Sequence, residues 1–205
     1  MMRIAALVLL SALSVGIHAV TAQETFTTST SCHNLLSNFE GKGMLDRILT
    51  EAFRRIGFKV EIVYTPTAQS LPDVNAGIMD GEIKRIAGME IQFPNLRRIS
   101  EPDMSMDFVA FSSRPMAIAG WSSLRGLDVA LYDRLTGYAV LKDFGYASIT
   151  HAEPPPAKRD MFFYVRKKHE ALMQRIAGSL RAMEPDGSYD AVKAEVLKAY
   201  GLSTR

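Results

Sequence analysis

Between Met44 and Tyr64 the hydrophobic period of the sequence changes once, at a glycine. Met44, Leu45, Ile48, Leu49, Ala52, Phe53 and Ile56 recur at helical spacing, and Asp46, Arg47, Glu51, Arg54 and Arg55 fill the opposite face. Gly57 ends the helix, as a residue free to take a left-handed conformation does. Phe58 to Tyr64 (FKVEIVY) then alternates as a strand until Pro66 breaks it. A threonine-rich strand, Thr25–Thr30, precedes this unit. A second helix over Ser70–Met79, with Pro72 near its start, and a strand over Asp80–Ile86 follow it. Strand, helix, strand, helix, strand in that order calls for a parallel sheet covered by helices.

The second half is built differently. Strands are expected at Phe108–Ser113, Asp128–Tyr132, Ala147–His151 and Met161–Arg166, with one helix at Leu135–Phe144. Trp121 to Gly126 reads as a turn, and Pro154-Pro155-Pro156 as an extended, exposed linker. Two helices close the chain, His169–Met183 and Tyr189–Tyr200, around the turn Pro185-Asp186-Gly187. A chain that leaves one unit, builds a smaller one and returns to the first gives this order.

Composition narrows the function. With 47% hydrophobic and 22% charged residues the chain has a core to bury. Lys and Arg number 24 against 22 Asp and Glu, with no basic run interleaved with aromatics, so nothing points to nucleic acid or an anionic membrane. Cys32 is the single cysteine, so the fold rests on packing and not on an internal disulfide. Met1-Met2-Arg3, the apolar run Ile4–Val20 and the small residues before Gln23 read as an export signal cut after Ala22. The expected product is exported, with no stable membrane insertion.

Motifs of catalysis are missing. The sequence has no G-x-S-x-G elbow, no P-loop and no G-x-G-x-x-G. His169-Glu170 begins like H-E-x-x-H, but Met173 stands where the second metal ligand belongs. Glu153 and Asp160, a conceivable acid and base, flank the triproline. The expectation is no enzyme, no metal and no cofactor. One charged stretch stands out: Asp80, Glu82, Lys84 and Arg85 lie at a strand end, with Gly81 and Gly88 around its last three charges. Such charges face solvent or a ligand. Arg85 offers a planar fork for a carboxylate, and equally a structural ion pair with Glu82, Glu90 or Glu101.

Several stretches carry a resemblance. GMLDRILTEAFRRIGFKVEI, MDGEIKRIAGMEIQFPNLRRISEP, FVAFSSRP, DVALYDRLTGYAVLKDFG and FFYVRKKHEALMQRIAGSLRAMEPDGSYDAV occur in an order similar to bacterial extracellular solute-binding proteins of family 3. These are the periplasmic components of ABC importers. The resemblance implies an α/β, periplasmic-binding-protein-like type II fold, with two lobes joined by crossing strands. Leu127 runs directly into Asp128 where the family has further strand-helix structure, so the second lobe is expected to be truncated. The implied layout is a signal peptide at 1–22, lobe one at 23–107, a shortened lobe two with crossing strands at 108–167, and return helices at 168–205.

The resemblance also implies a function. A small polar solute, an amino acid or similar, would be held between two lobes and handed to an ABC permease. A sensory or adaptor module of the same fold, or a degenerate non-binding relative, is the alternative. The implied ligand-binding residues are Arg85, Glu82, Tyr132, Asp133 and Ser31, with His33 beside Ser31. The family's usual arginine falls later in the loop, near Gln92, so Arg85 is displaced from it. Asp133 would take an ammonium group or cap the helix after it. Trp121 would pack at a hinge or stack on a ligand.

Overall fold

A computed structural model describes residues 24–202. The expected export segment lies outside them. The elements are β1 (Thr25–Thr30), α1 (Met44–Arg55), β2 (Lys59–Tyr64), α2 (Thr67–Ala76), β3 (Gly81–Arg85), α3 (Met89–Gln92), β4 (Leu96–Ser112), β5 (Ala130–Asp133), α4 (Arg134–Asp143), β6 (Thr150–Arg166), α5 (Met173–Met183) and α6 (Ser188–Ala199). Short 3-10 turns at Trp121–Leu124 and Lys167–Leu172 complete the list.

One six-stranded sheet runs through the molecule in the order β2-β1-β3-β6-β4-β5. β1 pairs in parallel with both β2 and β3, as the period change at Gly57 requires. β6 then returns antiparallel to β3 and β4. β4 and β6 are each 17 residues long, and their ladder extends from Leu96↔Arg166 to Ser112↔Thr150. These two strands leave the first three, cross to the far end and carry β5 and α4 there. α5 and α6 then pack back on the first part.

The core follows the two-residue period of β6. Met161, Phe163 and Val165 face one side and join Phe26, Ile83, Met104 and Met106 under α1, α5 and α6. Phe162 and Tyr164 face the other side and pack with Leu71, Val74 and Leu96 under α2. Ala139 of α4 shares the larger cluster with Val196 and Leu197 of α6, so the two ends of the sheet touch through helices as well as strands. Beside that contact the Lys142 ammonium donates to the Tyr200 carbonyl.

Four expectations are corrected. α2 starts at Thr67, directly after Pro66, so Pro72 sits inside the helix and not near its start. The triproline is no linker: it belongs to β6, opposite the ladder slip between Phe108 and Ala110, where a residue with no N–H costs no ladder bond. Pro102 likewise falls between two slips in β4, so the strand expected only from Phe108 begins at Leu96. Asp46 was assigned to the polar face of α1, yet it is fully buried. Its carboxylate accepts from Ser37 Oγ (2.5 Å) and from the backbone N–H groups of Asn38 and Gly43 (both 3.0 Å), tying the β1–α1 loop to the helix start.

Candidate functional site

In an open parallel sheet, ligands sit beyond the carboxyl ends of the strands. Here those ends belong to β1, β2 and β3, and they face the stretch where β4 and β6 cross. β1 delivers Ser31, Cys32 and His33, β2 delivers Tyr64 and Thr65, and β3 delivers Lys84 and Arg85. Gly81 is needed just behind them. A Cβ there would stand 2.7 Å from the Phe163 ring and 2.8 Å from the Tyr164 carbonyl oxygen.

Arg85 joins the strand ends. Its Nη2 donates to Ser31 Oγ (3.1 Å), Ser70 Oγ (2.6 Å) and Glu82 Oε1 (2.6 Å), drawing together β1, α2 and β3. The Glu82 side chain is 0% exposed, and Arg85 is 16% exposed. Ser29 Oγ also donates to Glu82. Burial pushes the Glu82 carboxyl upward, and the Arg85 charge and Ser29 hydroxyl offset part of that rise. Glu82 is therefore enclosed behind Arg85 and acts at the site through it. Arg85 Nε is buried without a partner among the described residues.

Below this cluster lies a carboxyl the sequence did not mark. Asp103 on β4 is 0% exposed, and its Oδ2 accepts from the Lys84 backbone N–H at 2.8 Å. Its Oδ1 has no partner among the described residues. Desolvation pushes Asp103 up to about 7. Lys84 itself holds φ +58°, the left-handed region, at a point where the β3–β6 register slips between Glu82 and Arg85. Its ammonium donates to Cys32 Sγ at 3.3 Å.

A groove of about 540 Å³ opens next to His33, between the β1–α1 loop and α6. His33 packs against Phe39 with centroids 4.1 Å apart and the rings tilted by 42°, and Phe39 meets Tyr64 edge-on at 5.0 Å. Phe39 is 68% exposed, so this aromatic wall faces solvent.

The other expected residues lie apart. Asp133 is 4% exposed, and its carboxylate accepts from the Thr136 N–H at 2.9 Å, capping α4. Tyr132 is half exposed on the edge strand β5. No hydrogen bond or ion pair among the described residues joins either to Ser31 or Arg85. Trp121 is exposed in its 3-10 turn. His169 is bonded to Asp80 at 2.8 Å, at the opposite end of β3. Among the described residues no cluster of three or more His, Cys, Asp or Glu could hold a metal ion, and no helix is long and apolar enough to cross a membrane.

The element order and the long crossing strands decide the fold. It is the type II periplasmic-binding-protein fold. The chain is similar to a histidine kinase sensor domain described as resembling periplasmic binding proteins (14% identity, 85% of this chain and 96% of that one, TM-score 0.68). It is similar to the substrate binding protein of an amino acid ABC transporter (14% identity, 85% and 99% covered, TM-score 0.63). It is also similar to an ancestral arginine-binding protein bound to arginine (14% identity, 87% and 98% covered, TM-score 0.61). No family model and no curated protein matches the sequence. The segment between β4 and β6 holds one 3-10 turn, one four-residue strand and one helix.

Proposed function

We propose that this chain is an exported, periplasmic solute-binding protein that holds a small polar solute, an amino acid or similar, for an ABC importer. The observation that carries the reading is the cluster Ser31–Arg85–Glu82–Ser70 at the strand ends, facing the crossing strands in a fold shared with amino-acid binders. An arginine held by fixed partners sets the shape of a cationic strand end suited to an anionic group, while the wall of His33, Phe39 and Tyr64 suits the less polar part of a solute. The chemistry is binding alone: a solute that contacts both ends of the sheet shifts the population toward a closed form, which a permease reads. In this layout residues 23–107 and 168–205 form one lobe and 108–167 the other, with Tyr132 and Asp133 on the second jaw.

A second reading is favoured by the short segment between β4 and β6 and by the likeness to a kinase sensor domain. The same module would then report solute to a membrane sensor, or serve as an adaptor. The experiment for both is a thermal-shift screen against amino acids, polyamines and small carboxylates. A ligand at 100 times its dissociation constant adds about 2.7 kcal/mol of stability. Arg85→Ala is expected to abolish the shift given by carboxylate-bearing solutes. A shift unchanged in that variant removes Arg85 from the site, and no shift with any compound removes the solute-binding reading.

A further inference from the structure

We propose that Lys84 is the residue that receives the solute's carboxylate, and that Arg85 beside it chiefly fixes the site's shape. The inference rests on the solute-binding reading and names the ligand contact within it. Arg85 is already neutralised by the buried Glu82, and three acceptors share its Nη2. Lys84 forms no ion pair: its ammonium has no carboxylate within 4.0 Å among the described residues, its one side-chain partner is the Cys32 sulfur, a weak acceptor, and the buried Asp103 carboxyl feels its charge only from beyond that distance. A cation with no ion pair of its own, at the carboxyl end of a strand and bonded to the residue that follows β1, is placed to receive an anionic group.

The backbone is bent to put it there. By plain alternation Lys84 would project on the same face as the buried Glu82. The register slip after Glu82 and the left-handed φ of +58° re-aim it, and the buried Asp103 holds its N–H in that conformation. A non-glycine residue kept left-handed by a dedicated buried carboxyl is an arrangement that serves side-chain placement. The groups shown to act on the ammonium are Cys32, after β1, and the buried carboxyl of Asp103 on β4. The ligand class is therefore a small carboxylate, bound by a point charge and not by a bidentate fork.

Cys32, half-buried at 3.3 Å from the ammonium, is a built-in reporter. The rates of its alkylation by iodoacetate and by iodoacetamide are measured at low salt in the wild type, Lys84→Met and Lys84→Arg. The ratio of the two rates cancels the thiol's own reactivity and reads the local charge. It is expected to fall about threefold or more in Lys84→Met, as loss of a unit charge a few ångströms away implies, and to persist in Lys84→Arg. Acetate, glycine and glutamate are expected to slow iodoacetamide in the wild type but not in Lys84→Met, while methylamine and putrescine have no effect. Far-ultraviolet circular dichroism of Lys84→Met reports whether the fold is intact, and Lys84→Arg keeps the test decisive if it is not. An unchanged rate ratio, or equal protection by carboxylates in both proteins, overturns the proposal. Protection by acetate but by no amino acid upholds Lys84 as an anion contact and overturns the amino-acid reading instead.

Discussion

Asp103 illustrates how one buried group sets a condition on the whole fold. Its carboxyl is pushed from 3.8 to about 7 because it is fully desolvated, with only backbone N–H groups and Lys84 offsetting the cost. The folded state therefore binds this proton more tightly than the unfolded state. Its contribution to stability is fully present below pH 3.8 and is lost as pH rises through 7. At about 1.4 kcal/mol per pH unit the loss amounts to roughly 4 kcal/mol as an upper figure. Asp103→Asn keeps an oxygen for the Lys84 N–H and never ionises. Its stability relative to wild type, from urea unfolding, is expected to rise by one to about 3 kcal/mol between pH 4.5 and pH 8. A difference that does not change with pH would refute the assignment. Nothing in the local sequence marks Asp103 or Asp46 as buried, and the charged stretch that contains Lys84 does not show its left-handed backbone, because only the folded topology brings Asp103 to the Lys84 N–H. An ion pair for Arg85 is legible, with Glu82 one of three possible partners; the register slip between the two residues, which the sequence does not show, is what brings Glu82 and Arg85 to one side of β3.

At the scale of elements, α4 depends on one close approach. A Cβ on Gly137 would lie 2.2 Å from the Phe111 ring, which itself stands edge-on to Tyr138 at 5.4 Å. Gly137→Ala forces the helix away from β4 and is expected to cost about 1–3 kcal/mol, more than Ala gains in helix propensity. Gly178 in α5 has nothing within 4 Å of the same added atom. Gly178→Ala is expected to stabilise by about 0.5–1 kcal/mol. Equal shifts in urea midpoint for the two variants would refute the packing argument. α1 and β2 are readable from period and β1 from its threonines: α1 ends within a residue of its expected stop, and β1 and β2 sit where expected, whereas α2 begins three residues early and the four-residue α3 is too short to show a period. β4 and β6 were read as short because Pro102 and Pro154–Pro156 look like breakers. A long two-stranded ladder tolerates proline wherever its register slips, and slips are a property of the pair, not of either sequence.

The molecule as a whole has one dominant core, which takes in Phe26 of β1, Ile83 of β3, Met106 of β4, Ala139 of α4 and Val196 of α6. Elements from both ends of the sheet share it, so they are expected to unfold together. Trp121, the only tryptophan, lies in the smaller part, next to the minor cluster of Ala110, Ile118 and Ala152 that Leu124 covers. Its fluorescence and the far-ultraviolet circular dichroism of the entire chain should therefore give coincident urea transitions. An earlier loss of fluorescence would mean that residues beyond β4 melt on their own. The solute-binding reading needs the coincident result, since a jaw that melts separately closes on nothing.

β4 and β6 are bonded to each other along almost their full length. They cannot flex as two separate tethers. Together they behave as a single leaf spring, stiff against bending in the sheet plane and soft in torsion. Whatever docks at the strand ends would announce itself as a small rotation of α4 about the ribbon axis, and a receiving protein would be sensing an angle more than a distance.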